Sequence, residues 1–261
     1  MTTQERIRAE NVTYTYLTRA GETTALSNLS LAILDGEFCS VVGPSGCGKS
    51  TLLSLISGLT LPTEGRVLLD DIPIKRPSRK IGFLLQKDHL FEWRTVLENA
   101  ELGLEILGID PAEAGDRARA LLQSYGLREF EKFYPRQLSG GMRQRVALIR
   151  TLATDPEIIL LDEPFSALDY QTRLIMQREV HSIIRSNGKS ALLVTHDIEE
   201  AVAMSDRVIV LSGRPAKVHS VYDIKLSVSG ERTPMSSRDA PEFRDYCKSI
   251  WKDLDIERRG I

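Results

Sequence analysis

The chain has none of the features that would tie it to a bilayer interior, to nucleic acid or to an oxidising compartment. Its 261 residues include no apolar run near the ~18 that a membrane-spanning helix needs. Residues Met1 to Arg6 lack the apolar core of a signal peptide, so no export leader is expected. Lysine and arginine number 34 against 36 acidic residues, a formal net charge of -2, which removes any bulk electrostatic case for nucleic acid. Cys39, Cys47 and Cys247 are too scattered for a disulfide framework or a zinc site, and they suit a reducing cytosol. There is no internal repeat, no low-complexity tract and no heptad pattern sustained over three or four repeats. Any work at a membrane is expected from its cytoplasmic surface.

What is present is an ordinary globular composition, 42% hydrophobic and 27% charged, long enough for one large α/β domain or two small ones. Residues 7–16, 29–34 and 66–70 read as short strands, and Asp35-Gly36 marks a turn. After Gln86 the pattern becomes helical. Asp110-Pro111-Ala112-Glu113 is a helix start, with Asp as cap and Pro in the first position, and that helix is predicted to run to Tyr125 and stop at Gly126. A second helix is predicted over 142–153, with Met142, Val146, Ile149 and Ala153 on one face and Arg143 and Arg150 on another. Apolar runs at 158–161, 191–194 and 208–211 have the character of strands covered on both faces, as in a parallel sheet. A loop is predicted at 232–237 and a terminal helix from Glu242.

Gly43-Pro44-Ser45-Gly46-Cys47-Gly48-Lys49-Ser50-Thr51 matches G-x-x-x-x-G-K-[S/T] in full, with an apolar strand before it and an apolar helix after it. Its glycines let backbone N–H groups turn inward toward phosphate oxygens, and the helix begins beneath them. Lys49 supplies a point charge for the β/γ-phosphates, and Ser50 a hydroxyl for magnesium. The ligand class is a nucleoside triphosphate with Mg2+.

Parallel sheets gather ligands at the C-terminal ends of their strands. One strand ends in Asp162-Glu163-Pro164 and another in Thr195-His196-Asp197. Asp162 can hold magnesium, and Glu163 can orient and deprotonate a water. His196 can bond a γ-phosphate or that water; by itself it is equally a surface histidine. His89, His181 and His219 have no such context. Leu138-Ser139-Gly140-Gly141-Met142 caps the second helix and forms another anion site with no lysine of its own; taken alone it is more simply a flexible turn. Two phosphate-binding half-sites on one chain raise the possibility that a second copy completes each.

Together Gly43–Thr51, Gln86, the segment 138–144, 158–163, Ser166-Ala167-Leu168-Asp169 and His196 resemble, in order and spacing, the nucleotide-binding subunit of an ABC transporter, over about 7–225. The resemblance implies a P-loop NTPase (RecA-like) α/β core with a parallel sheet, about 1–86 and 154–225. It further implies an N-terminal antiparallel β subdomain, a helical insert over about 87–153 and a C-terminal tail over 226–261 with a helix. It implies ATP and Mg2+ as ligands, and a head-to-tail homodimer in which Ser139, Gly140 and Gly141 of one chain meet the γ-phosphate held at Lys49 of the other. Gln86 would touch magnesium and the water and link the site to a membrane permease. Asp169 would lie at the dimer contact, and His196 would be the switch histidine. Tyr16 matches the aromatic that stacks on adenine. Tyr14, two positions away on the same face, is its rival, and a cross-strand aromatic pair is the plain alternative.

Leu90-Phe91-Glu92-Trp93, the segments 134–138 and 163–169, Asp197-Ile198-Glu199-Glu200-Ala201-Val202 and the stretch from Asp206-Arg207-Val208 through Gly213-Arg214-Pro215 are similar to bacterial importers of nitrate, aliphatic sulfonates, taurine and thiamine precursors. Glu92, where those importers carry Pro, and Ile149-Arg150-Thr151, where they carry Ala-Arg-Ala, are departures. Phe91 and Trp93 either line a permease-docking groove or pack in the core. The implied protein is a peripheral ATPase on the cytoplasmic face of the bacterial inner membrane. It would serve permease subunits directly and an extracytoplasmic solute-binding protein indirectly, with no nucleic acid partner. The residues left after Leu211 are too few for a fused regulatory domain. A soluble non-transport ABC ATPase and an exporter ATPase are the competing readings.

Overall fold

Long antiparallel strands open the chain: β1 (Glu5–Thr18) and β2 (Gly21–Leu34). The computed structural model describes residues 4–19 and 21–259. The chain continues through β3 (Phe38–Val42), α1 (Lys49–Ile56), β4 (Glu64–Leu69), β5 (Ile72–Pro73) and β6 (Ile81–Leu84). Three helices follow, α2 (Val96–Ile106), α3 (Pro111–Ser124) and α4 (Gly140–Ala153), and then β7 (Ile158–Asp162) and α5 (Tyr170–Ser186). The last third comprises β8 (Ser190–Val194), α6 (Ile198–Met204), β9 (Arg207–Leu211), β10 (Val218–Asp223), α7 (Pro234–Asp239) and α8 (Phe243–Arg259). These elements form two compact units, Met1–Ser78 with Gln177–Ile261, and Arg79–Met176.

In the first unit β2, β1, β4 and β5 make an antiparallel sheet in that order. Its strands are longer than the sequence pattern predicts. The alternation is interrupted by register shifts near Ala9–Val12 and by Asn11 and Asn28 at φ 51° and 49°, a left-handed conformation that asparagine tolerates better than most residues. In the same unit β3 lies between β8 and β9 and parallel to both, while β10 runs antiparallel to β9. All five residues of β3 and of β8 are buried, which explains their unbroken apolar character. Helix α8 covers this layer, with Phe243 and Ile250 buried in one cluster with Val208, Val210 and Ile224. The segment expected to loop at 232–237 is instead mostly helical. Thr233 caps α7 by accepting from the Ser236 N–H, and Pro234 takes the first helical position, where its missing N–H costs nothing.

In the second unit β6 and β7 pair in parallel, Ile81 opposite Ile158 and Leu84 opposite Leu161. Asp110 accepts from the N–H groups of Ala112 and Glu113, so α3 starts where its sequence signature puts it. Thr95 and Glu98 form a capping box at the start of α2. Asn99, fully buried, donates to the carbonyls of Phe91, Arg94 and Thr95 and pins the chain ahead of that helix.

One buried histidine gives the first unit a pH dependence. His181 on α5 is 4% exposed and lies against the Phe38 ring at 5.8 Å. Burial, reinforced by the nearby Arg185 and Arg232 charges and opposed by Asp206, lowers its pKa from 6.5 to about 4. The unfolded chain binds this proton below about 6.5 and the folded chain does not, so folding stability is lost as pH falls through that window. Unfolding by urea at pH 5 should therefore show about 2 kcal/mol less stability than at pH 7 from this residue, and His181→Phe should abolish that increment. An unchanged pH dependence in the variant would remove His181 as its source.

Candidate functional site

Two sets of functional groups stand on the two units, and each has its own geometry. In the first unit, β3 delivers the chain into Gly43–Gly48 and α1 begins at Lys49. No side chain caps α1 and no acidic residue lies in its first turn, so its N–H groups and positive end are left for an anion. Gly48 has φ 125°, and a Cβ there would fall 2.9 Å from a Leu26 methyl and 3.1 Å from the Ala25 carbonyl oxygen; only glycine fits. Lys49 is 7% exposed, and its Nζ donates to the carbonyls of Gly43 at 2.9 Å and Pro44 at 3.0 Å. Ser50 is exposed. The Tyr16 hydroxyl bonds Thr51 Oγ1 at 2.9 Å, while Tyr14 meets Tyr16 edge to face at 4.8 Å. The tyrosines are thus neighbours along one strand rather than a cross-strand pair, and Tyr16 is the one joined to α1. Its ring remains 44% exposed.

His196 is exposed just past β8, above a buried network that the sequence does not disclose. Thr195 Oγ1 donates to Glu200 Oε2 at 2.5 Å, Gln177 Nε2 donates to Glu200 Oε1 at 3.3 Å, and Arg238 Nη2 donates to Gln177 Oε1 at 2.8 Å. Asp197 caps α6 by accepting from the Glu200 N–H. The carboxylate of Glu200 is thereby satisfied at 4% exposure, and the chain on either side of His196 is held in place.

In the second unit, Gln86 follows β6, and Asp162 and Glu163 close β7, so the pairing of these two strands brings Gln86 and Glu163 to one edge. Gln86 Nε2 lies 3.4 Å from Glu163 Oε2. Glu163 has φ 45°, a left-handed conformation costly for a residue with a side chain, and its carbonyl accepts from the N–H and hydroxyl of Ser166. Such strain persists where surrounding structure over-determines it. Ser139 caps α4, accepting from the Met142 N–H, with no acidic residue in that helix's first turn. A Cβ on Gly141 would lie 2.8 Å from the Thr172 methyl, so the Ser-Gly-Gly tip has no room for a side chain there. Asp169 caps α5 through the Thr172 N–H at 3.0 Å, and bonds from the Thr172 hydroxyl and N–H hold its carboxyl below the usual range.

Two arginines of α4, Arg143 and Arg150, bond the chain after Gln86. Arg143 Nε bonds Asp88 Oδ2 at 3.0 Å, and Arg150 donates to the carbonyls of Asp88 and His89. Both had been visible in the sequence only as a helix face. Phe91 and Trp93 stack at 4.8 Å with 10° between their planes, and Trp93 is 74% exposed, which excludes core packing for its ring.

The donor set suits a nucleotide polyphosphate and its metal. An uncapped helix start, a buried lysine and a crowded glycine loop match phosphate oxygens. Among the described residues no group of three or more His, Cys, Asp and Glu is arranged to hold a metal ion unaided. Magnesium, a hard cation that keeps several waters and needs only one or two protein oxygens beside phosphate oxygens, fits residues that form no such group.

The family model described as ABC transporter matches residues 26–166, more than half of the chain. The chain belongs to the ABC transporter family. Within it, the sequence is 44% identical over 95% of its length and 95% of the relative's to an uncharacterised ABC transporter ATP-binding protein, YtlC, of Bacillus subtilis (strain 168). It is 41% identical, over 98% of its own length and 99% of the relative's, to the taurine import ATP-binding protein TauB of Burkholderia pseudomallei (strain 1710b). Among solved structures, the dimeric post-hydrolysis ATP-binding cassette MJ0796, bound to ADP and Pi, superposes with a TM-score of 0.75 at 37% identity, covering 84% of this chain and 99% of that one. The α/β fold with parallel and antiparallel sheets is that of the ABC ATPase cassettes. Among the described residues of this ABC ATP-binding subunit, no helix is long and apolar enough to cross a membrane.

Proposed function

We propose that this subunit hydrolyses Mg-ATP to drive uptake of a small solute, of the taurine, sulfonate, nitrate or thiamine-precursor kind, through a separate permease. The observation that carries the reading is the pair of helix starts, α1 and α4, each free of acidic residues in its first turn and each led by a glycine-rich segment. Either is a half-site for phosphate, and only the first has a lysine. The two are therefore assigned to different copies: Lys49 and the N–H groups of Gly43–Thr51 hold the phosphates in one chain, and Ser139, Gly140 and Gly141 of a second chain close over the γ-phosphate. The importer relatives and the dimeric cassette support this assignment.

Within each site Tyr16 stacks on the adenine. Ser50, Asp162 and Gln86 would hold the magnesium, which would supply neutralisation of charge on the β- and γ-phosphates. Glu163 accepts a proton from the attacking water as its oxygen bonds to the γ-phosphorus and the bond to ADP breaks. His196 bonds the γ-phosphate, and Asp169 meets the partner copy. Closure joins two chains around two nucleotides, and loss of the γ-phosphate contacts lets them part. The exposed Phe91–Trp93 stack, pinned by Asn99, is the assigned face for the permease, on the cytoplasmic side of the membrane.

Ser139→Arg tests the shared site, because it puts a long side chain at the helix tip while leaving Gly43–Thr51 untouched. Mg-ATP binding by the isolated chain should stay within about twofold, whereas dimer formation under hydrolysis-blocking conditions and ATPase activity should fall at least about tenfold. Light scattering and phosphate release read the two effects. A fully active variant would refute the two-copy arrangement.

A further inference from the structure

We propose that Arg214 is a positioning residue of the phosphate loop, which it clamps from outside through the Gly46 carbonyl and thereby sets nucleotide affinity. The inference rests on the nucleotide reading above and gives a role to Arg214, which lies in the stretch ending Gly213-Arg214-Pro215 and outside the phosphate-binding motifs. Arg214 Nε and Nη2 both donate to the Gly46 oxygen, at 3.1 and 2.5 Å, across 168 positions of sequence. Gly46 has φ 73° and turns the loop.

In a trans peptide the C=O and the following N–H point in opposite directions. Fixing the Gly46 carbonyl outward therefore fixes the Cys47 N–H inward. That N–H donates to the Pro44 carbonyl at 3.2 Å, the same oxygen that accepts from Lys49 Nζ at 3.0 Å. The clamp thus holds the Pro44–Cys47 turn from the side opposite Lys49, and with it the curl of the loop whose other N–H groups would receive phosphate oxygens.

Arg214 reaches this point from a turn that is itself anchored. Leu211 ends β9 against the loop, where a Cβ on Gly43 would lie 3.2 Å from the Leu211 Cβ. Ser212 and Lys217 close the turn on each other, with the Ser212 N–H bonding the Lys217 carbonyl at 2.9 Å and the Lys217 N–H bonding Ser212 Oγ at 2.9 Å. The Ala216 N–H donates to the Ala25 carbonyl at 2.8 Å, and the Ser27 N–H donates to the Ala216 carbonyl at 3.1 Å, tying the turn to β2. Little backbone freedom of the turn is left to lose in forming the clamp. Arg214 makes no ion pair among the described residues, so its charge is not cancelled before it reaches the loop. Charge-assisted bonds of this kind are stronger than neutral ones, and the guanidinium presents two parallel donors where lysine has a point charge.

Arg214→Ala should raise the Kd for Mg-ATP roughly five- to tenfold, with kcat at saturation within about twofold and the unfolding midpoint without nucleotide unchanged. Arg214→Lys should recover part of the affinity, and Arg214→Glu should weaken it beyond the alanine variant, more so at low salt. Fluorescent-nucleotide titration, steady-state ATPase assays and thermal unfolding read these separately. Should the alanine variant fail to fold, Arg214→Gln removes the charge and shortens the side chain, and should raise Kd by a smaller factor that still exceeds about threefold. A folded Arg214→Ala or Arg214→Gln protein with affinity within twofold of the parent's overturns the clamp. So does a loss of affinity matched by a loss of nucleotide-free stability. A parent protein that binds no Mg-ATP would instead sink the nucleotide reading itself.

Discussion

Glu163→Gln should leave Mg-ATP binding intact and lower steady-state hydrolysis by roughly 10²–10⁴-fold. The substitution keeps the shape and length of the side chain and removes its capacity to take a proton. The surrounding geometry should survive it, since Ser166 bonds the Glu163 carbonyl rather than the carboxylate, and the φ of 45° is no more strained for glutamine than for glutamate. The Gln86 amide, 3.4 Å from the carboxylate, can bond an amide oxygen as well. Phosphoryl transfer depends mostly on positioning and charge, so the residual rate should remain above that in water. The variant should accumulate as an ATP-bound dimer, read by light scattering and by bound nucleotide after gel filtration. Turnover within twofold of the parent would remove Glu163 from the role of base and leave Asp162 or His196 to be tried.

Lys49→Ala should raise the Kd for Mg-ATP by about a hundredfold or more, with hydrolysis lost at ordinary ATP concentrations. The residue is 7% exposed, and its ammonium has two carbonyl partners in the loop, Gly43 and Pro44. Alanine removes the charge, its two carbonyl bonds and most of the side-chain volume. Lys49→Met removes the charge and both bonds but keeps most of the volume. Both variants should bind weakly if the ammonium is what holds the phosphates, and only the alanine variant should if packing of the side chain is. The folded state of either is checked by its unfolding midpoint, and titration with a fluorescent nucleotide gives the affinity. Normal affinity in both would overturn the assignment of Gly43–Thr51 to phosphate.

The elements legible in advance share one property: their cause is local. The unbroken apolar runs became β7, β8 and β9 because burial on both faces leaves no alternation to see. Asp110 and Pro111 start α3, and Ser139 caps α4, because a cap acts within three residues. Irregular residues hide an element from the sequence. The pattern shows β2 only from Leu29 onward, where buried and open positions alternate cleanly, and not over 21–28. Helix α7 has the sequence of a loop, because Thr, Pro and Ser are turn residues as well as capping residues.

The chain's nucleotide motifs, its membership of the ABC transporter family and the identity of its candidate acids, base and switch histidine follow from the order of residues, because glycine geometry, helix starts and strand ends are set within a few positions of one another. The support behind them came from tertiary structure alone. The Thr195–Glu200–Gln177–Arg238 network, the neutral His181 against Phe38, the hold of Arg143 and Arg150 on Asp88 and His89, and the grip of Arg214 on Gly46 each join residues far apart in the chain. An arginine in a turn carries no sign of which carbonyl it will meet. That is decided only when strands bring distant segments within hydrogen-bond range and burial makes an unpaired polar group too costly to leave.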